Sequence, residues 1–444
     1  MKTSIIVCKT MKSVLSKLGR GSSLPGAVAL KLDRNVLGKL KISCPVIAVT
    51  GSNGKTGTTE MLNRTAKAAG MRTVCNSEGS NQIEGVTAAL LGACDLSGKI
   101  AADAVILESD ERFCQYTFKG LAPTATVVTN LFRDQLTRNG HWEFVAKELR
   151  KGLRKDTIPV LNADDPLTAS LGKDYGNAVY FGVSPDAFSE DPATVHAYDD
   201  GAFCPCCGGR MHYSTRLFAH LGSYHCASCG FARPSPAHEV TGTDGDCLVL
   251  DGGYRIRPKY LNSMYAQNVC AAFTAAVEIL GIAPEKAAEY LSEEEERNKL
   301  VDRVHVYDLD GRDLTFLLCK HENSMAYNQS LASVLARGGK ASLLIIVDKL
   351  SRKYSANDMS WLWDLDLGKL SDPRIGSVVF SGRFAEDLKS RSLLDGVPGD
   401  KITAEPDLGK ALTKLRTQAE GDLFAMTCFT DAPMLKQAAE RYGK

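Results

Sequence analysis

The chain lacks any imbalance of charge. Its 53 lysines and arginines are met by 52 aspartates and glutamates, so no global field points to nucleic acid or an anionic membrane as a partner. It has no run of eighteen apolar residues, so no transmembrane segment is expected. The N-terminus, MKTSIIVCKTMKSVLSKLG, carries a brief apolar patch that Lys9 and Lys12 interrupt. That argues against a secretory signal and for a cytoplasmic protein. Internal repeats and low-complexity tracts are absent. Histidine is scarce, eight in 444 residues, and none stands near a candidate nucleophile. Cys94, in Gly92-Ala93-Cys94-Asp95, follows no strand and so forms no nucleophile elbow. The chain is therefore not expected to release ammonia from glutamine by itself. Its length predicts two or three domains with ample core.

Cysteine is plentiful, but its distribution speaks against a disulfide framework. Five of the fourteen cysteines fall between Cys204 and Cys229. Cys204/Cys207 and Cys226/Cys229 form two CxxC knuckles separated by eighteen residues, the spacing of a zinc ribbon. Gly208 and Gly230 relax the knuckles, and four thiolates close a tetrahedral Zn²⁺ site. A closed site leaves no open position, so the metal is read as structural. Cys206 reads as a spectator. His212, His220 or His225 could replace a thiolate, although four cysteines suffice.

Strands alternate with helices over most of the chain, which predicts an α/β fold with a mostly parallel, doubly wound sheet. Residues 1–44 read as a helical leader. Residues 45–300 read as a nucleotide-binding domain, with strands at Val46–Thr50, Thr73–Asn76, Ala104–Glu108, Thr124–Asn130, Pro159–Asn162 and Val179–Gly182. The cysteine-rich insert, 202–236, interrupts it. The run Glu293-Glu294-Glu295-Glu296-Arg297 marks a boundary, and 301–444 read as a second, Rossmann-like α/β unit.

The chemistry concentrates in Val49-Thr50-Gly51-Ser52-Asn53-Gly54-Lys55-Thr56-Gly57, between an apolar strand and a helix. Backbone N–H groups of such a loop converge at a helix N-terminus, where the dipole favours an anion. Lys55 would neutralise phosphate oxygens, and Thr56 would hold Mg²⁺ through its hydroxyl. Walker spacing would want glycine at Val49; the shorter T-G-x-N-G-K-T form is the one seen in Mur-type amide ligases. Glu108 ends a buried strand, where ligands of open parallel sheets gather, and is a candidate Mg²⁺ ligand. The alternative, a helix-capping acid, suits Asp110 or Glu111 better. In Thr129-Asn130-Leu131-Phe132-Arg133-Asp134-Gln135-Leu136, Asn130 stands at another strand end. Arg133 and Asp134 would project into the same crevice, or pair at the surface. Asn162-Ala163-Asp164-Asp165-Pro166 offers Asn162 to an adenine edge and Asp165 to ribose hydroxyls, yet is equally a good turn. In Asp358-Met359-Ser360-Trp361-Leu362-Trp363-Asp364, the paired tryptophans suggest packing or an interface anchor.

Together, the phosphate loop, Glu108, TNLFRDQL, NADDP and the ribbon CPCCGGRMHYSTRLFAHLGSYHCASCGFARP resemble the MurT family, the Mur-ligase-like subunits of lipid II isoglutaminyl synthase. The leader around Gly19–Gly26 and Ala29–Leu32 resembles that family's start. Only fifty residues precede Gly51, too few for the UDP-binding domain of other Mur ligases. The resemblance implies a Mur ligase central domain and a Rossmann-like C-terminal domain. It implies an ATP- and Mg²⁺-dependent ligase that activates the D-glutamate α-carboxylate of lipid II as an acyl phosphate, at the inner face of the membrane. A GatD-like class I glutamine amidotransferase would supply ammonia, giving D-isoglutamine. By the same resemblance Asp358 would complete the partner's Cys–His pair, with Asp364 the second choice. Arg303 would match an arginine touching ATP phosphates, or serve as a helix-end salt bridge. Departures at Tyr354–Asn357, Lys320–Asn328, Thr137, Asn139 and Ser263–Asn268 mark a divergent member. A Mur-type ligase acting on another acid (polyglutamate-forming or amino-acid-adding) and a non-catalytic zinc scaffold are the alternatives.

Overall fold

The computed structural model describes residues 1–16, 23–77, 80–189, 196–293, 303–348, 359–428 and 431–442. Asp358 and the charge run from Glu294 onward lie outside them. The chain forms two compact units. The first comprises Met1–Phe132, Trp142–Thr194 and Asp199–Leu300; the second comprises Arg133–His141, Val195–Tyr198 and Val301–Lys444.

The first unit is built on β1 (Val46–Thr50), β2 (Thr73–Cys75), β3 (Ala104–Glu108), β4 (Ala125–Val128), β5 (Ile158–Asn162) and β6 (Val179–Val183). Two further hairpins follow: β7 (Met211–Phe218) with β8 (Leu221–Cys226), and β9 (His238–Asp244) with β10 (Cys247–Leu250), to which β11 (Arg255–Ile256) adds. The main sheet runs β11-β10-β9-β6-β5-β4-β1-β3-β2, and β1 to β6 are mutually parallel. The β-branched, apolar runs VIAVT and AVILE are buried at every position, as strands covered on both faces must be. From β1 the chain crosses to β2 on one side; from β3 it crosses to β4 on the other. The C-terminal ends of β1 and β3 therefore flank a topological switch point, where open α/β sheets bind ligands.

The predicted leader does not stand apart. Helices Lys2–Ser16 and Leu24–Leu32 bury Ile5, Cys8 and Ala29 in one core with Val86, Leu90 and Leu91 of helix Ile83–Ala93. Gly26 permits this, because a Cβ there would collide with the backbone of Glu84 and Ala88.

The second unit carries β12 (Val304–Asp308), β13 (Asp313–Cys319), β14 (Ala341–Ile346), β15 (Ile375–Ser381), β16 (Ile402–Ala404) and β17 (Asp422–Cys428). Their order is β12-β13-β17-β14-β15-β16, parallel except for the edge strand β12. Separate cores cover its two faces, one around Leu343, Ile345 and Phe380, the other around Leu344, Val379 and Leu412. Among the described residues, no helix is long and apolar enough to cross a membrane.

Candidate nucleotide site and metal ribbon

Thr50 ends β1, and the chain turns through Gly51 (φ +126°) and Gly54 (φ +84°) into helix Lys55–Ala68. Both glycines are required twice over. Their φ is one that side chains disfavour, and a Cβ would collide with Thr129 Oγ1 at Gly51 and with Asn268 Oδ1 at Gly54. Gly57 differs, since a Cβ there would meet open space. Gly54→Ala is expected to weaken binding of a fluorescent ATP analogue by about tenfold or more, from strain of about 1–3 kcal/mol in the loop. Titration of the purified chain checks it.

Three residues after β4 clasp this loop. Thr129 Oγ1 donates to Asn53 O at 2.6 Å. The Asn130 side chain accepts from Asn53 N–H at 3.0 Å and donates to Asn53 O at 3.1 Å, while its carbonyl accepts from Ser52 N–H at 2.8 Å. Ser52 Oγ donates to Phe132 O and accepts from Phe132 N–H. Asn130, expected as a nucleotide contact, instead spends its amide on the loop.

Lys55 is buried. Its ammonium donates to the carbonyls of Gly51 and Ser52 and pairs with Glu111 Oε2 at 2.9 Å. Glu111 is thus the counter-ion of the loop lysine and not a helix cap. Thr56 Oγ1 donates to Glu108 Oε2 at 2.8 Å, so the two expected Mg²⁺ ligands meet at the ends of β1 and β3. Asn81 Nδ2 donates to Glu108 Oε1 at 2.8 Å, and Asn76 bonds the Glu108 backbone on both sides. A hydroxyl and a carboxylate beside a helix N-terminus form a hard oxygen donor set, which suits Mg²⁺ bound partly through water and phosphate.

Asn162 and Asp165 do not reach solvent. Asn162 is fully buried; its Nδ2 donates to Thr129 O and Gln267 Oε1, and its Oδ1 accepts from Asp164 N–H. Asp165 is also fully buried and caps the turn Pro166–Ala169, accepting from Leu167 N–H, Thr168 Oγ1 and Leu131 N–H. Both were expected as adenine and ribose contacts; in this structure the bonds these groups make are internal.

Arg133, Arg303 and Asp364 belong to the second unit. Arg133 pairs with Asp364 at 2.9 Å and lies over the Tyr198 ring, 4.5 Å from its centroid. Asp134 is buried, pairs with Lys320 and accepts from Asn323 Nδ2. The Arg303 carbonyl accepts from Leu318 N–H beside β13. Trp361 packs on Tyr327, whereas Trp363 is 55% exposed beneath Arg391. The residues missed by sequence reasoning, Glu111, Asn76, Asn81 and Thr129, carried no signal beyond their nearness to a strand end.

The four knuckle cysteines converge. Cys204 and Cys229 sulfurs lie 3.7 Å apart, those of Cys207 and Cys226 3.6 Å, and all four lie within 4.8 Å of one another. Tetrahedral bonds of about 2.3 Å place sulfurs about 3.8 Å apart, so the cluster fits Zn²⁺. Burial opposes ionisation of Cys226, yet N–H groups of Cys229 and Ser228 and its thiol neighbours bring it down to about 6. Burial raises the Cys204 thiol in the same cluster to about 12, and likewise those of Cys75, Cys114, Cys270 and Cys319 outside it.

With this geometry in hand, the comparisons with known proteins converge. The Mur ligase middle domain family matches residues 49–222, and the MurT ligase C-terminal family matches residues 320–431. The chain is 29% identical, over 98% of its length and 97% of the relative's, to the MurT subunit of lipid II isoglutaminyl synthase (glutamine-hydrolyzing) from Staphylococcus aureus (strain N315). It is 29% identical to that from Streptococcus pneumoniae (strain ATCC BAA-255 / R6), over 94% of this chain and 92% of the relative. In fold it is similar to a pseudomurein peptide ligase type C from Methanothermus fervidus, with TM-score 0.67, 20% identity, and 91% and 80% of the two chains covered. It is also similar to a MurF ligase from Thermotoga maritima in complex with ADP, with TM-score 0.57, 17% identity, and 94% and 84% covered. A glycine loop on a switch-point sheet and an inserted cysteine ribbon thus occur in one chain with a region that matches the Mur ligase middle domain and a second that matches the MurT ligase C-terminal domain.

Proposed function

We propose that the chain is the ligase subunit of a lipid II isoglutaminyl synthase. It would phosphorylate the D-glutamate α-carboxylate of lipid II with ATP and then let ammonia displace the phosphate. The supporting observation is the hydrogen bond between Thr56 and Glu108 beside the Lys55–Glu111 pair, at the switch point of the sheet. A carboxylate is a poor electrophile, because its charge is delocalised and its leaving group would be oxide. Attack of a carboxylate oxygen on the γ-phosphorus, with ADP leaving, gives an acyl phosphate. Ammonia then adds at the carbonyl carbon, orthophosphate leaves, and a proton is lost. Mg²⁺ held by Thr56 and Glu108 would supply charge neutralisation on the phosphates. Backbone N–H groups from Gly51 to Thr56 would cradle the β-phosphate. Lys55 would turn from the loop carbonyls to the transferring phosphoryl group. Arg133 and, on family resemblance, Arg303 are proposed as further nucleotide contacts.

Ammonia would come from a GatD-like class I glutamine amidotransferase, as the similarity to subunits of a glutamine-hydrolyzing synthase implies. Asp358 is proposed, on family resemblance, to complete that partner's Cys–His pair. The complex would act in the cytoplasm, at the inner membrane face. The purified chain, mixed with a class I glutamine amidotransferase from its own genome and with lipid II, should release phosphate only when ATP and glutamine are both present. Phosphate release that instead tracks a free amino acid, without glutamine, would move the assignment to an amino-acid-adding Mur ligase.

A further inference from the structure

The ribbon has a second end. Its metal knuckles sit at the open base of the β7–β8 hairpin, where Met211 pairs with Cys226; its tip, Ala219-His220, lies at the far end, beyond the pair Phe218–Leu221. That tip is inside the protein. His220 is fully buried, its ring centroid lies 4.4 Å from that of Phe132, and its Nε2 lies 3.4 Å from Asp165 Oδ1. Neither ring nitrogen makes a hydrogen bond, so the imidazole serves here as a packed surface.

The rest of the hairpin is fastened to the same stretch of chain. Gly222 N–H donates to Asp164 O at 2.8 Å, and Tyr224 Oη donates to Ala163 O at 3.0 Å. Just past the second knuckle, Arg233 pairs with Asp164 at 2.7 Å and with Glu239 at 2.5 Å, while its N–H donates to Tyr224 O. Asp165 then holds Leu131 N–H at 2.8 Å, and the neighbours of Leu131 are Asn130 and Phe132, which clasp Ser52 and Asn53. The contacts run unbroken from ribbon to phosphate loop within one unit.

We propose that the ribbon is the buttress of the phosphate loop: His220 and Asp165 are positioning residues for nucleotide binding, and a metal-loaded ribbon is what keeps them in place. The physical reason is leverage. The Asn130–Phe132 segment has no regular structure to fix it, and the loop it clasps holds two glycines in conformations other residues avoid. A rigid hairpin pressed on Phe132 removes freedom that nucleotide would otherwise have to remove on binding. Loss of metal would free the knuckles, release Arg233 from Asp164, and let the tip withdraw.

This rests on the loop being a nucleotide site, and the test separates the two. MgATP affinity is measured by calorimetry on the full chain in four forms: wild type and His220→Ala, each zinc-loaded and zinc-stripped, with melting temperature recorded for each. His220→Ala should keep one zinc per chain and raise Kd about five- to tenfold. Stripping zinc from wild type should raise Kd similarly, and stripping it from the variant should add little, because both act through one contact. His220→Phe, which keeps a ring against Phe132, should recover most of the affinity. Equal Kd in zinc-loaded wild type and His220→Ala, with only melting temperature lowered, overturns the proposal. If stripping unfolds the chain, the His220→Ala and His220→Phe arms alone decide it. Absence of MgATP binding by zinc-loaded wild type overturns the nucleotide reading as well.

Discussion

Lys55→Ala should lower ATP-dependent phosphate release by about 10²–10³-fold, the loss expected when one preorganised donor to a transferring group is removed. The variant also takes the cation from Glu111, a buried carboxylate 2.9 Å from Lys55 Nζ. Breaking a buried pair on one side costs about 3–5 kcal/mol, so a fall in turnover alone could reflect unfolding. The double variant Lys55→Ala/Glu111→Gln separates the two effects. It removes both charges, so its melting temperature should return towards wild type while turnover stays low. Turnover of Lys55→Ala within threefold of wild type would remove the lysine from the chemistry. The same pair helps the loop hold its shape: the carbonyls of Gly51 and Ser52 accept from the Lys55 ammonium, whose counter-charge is the Glu111 carboxylate.

The second large effect concerns the ribbon. Freshly purified protein should contain one zinc per chain by elemental analysis, and Cys226→Ser should lose it. Structural zinc contributes about 10–16 kcal/mol in small zinc peptides. Here the ribbon also rests on the core through Tyr224, Phe231 and Ala169, so only part of that energy is at stake. A loss of a few kcal/mol should lower the melting temperature by roughly five degrees. Protein that is metal-free yet melts as high as wild type would show that the thiols close the ribbon without an ion.

The fold was legible wherever one residue type repeats with a clear period. The parallel strands β1, β3 and β5 stand within a residue or so of their expected places, because buried β-branched runs have few other uses. The β7–β8 hairpin was not expected, and its register shifts between Tyr213 and Thr215 and again between Arg216 and Phe218 show why. Each shift moves the alternation to the other face, so no period of two survives in the sequence. The glycine loop between β1 and its helix could be read as a loop because its parts are contiguous. NADDP stayed open between two readings because an asparagine or aspartate that caps a buried turn has the same spelling as one that faces a ligand. Only the surroundings of Asp164 and Asp165, supplied by Arg233 and His220 some sixty residues on, distinguish them. Arg133–His141, which follows β4 without a break, joins the second unit for a like reason: its partners Lys320, Asn323 and Asp364 are remote in sequence.

The thiols carry one more consequence. Cys207 and Cys229 alone among the fourteen are exposed, while the deep ones are held protonated by burial. Peroxides and alkylating reagents must reach the sulfur, so the thiols of this chain most open to them are those two at the knuckles, and the thiols packed in the cores are shielded.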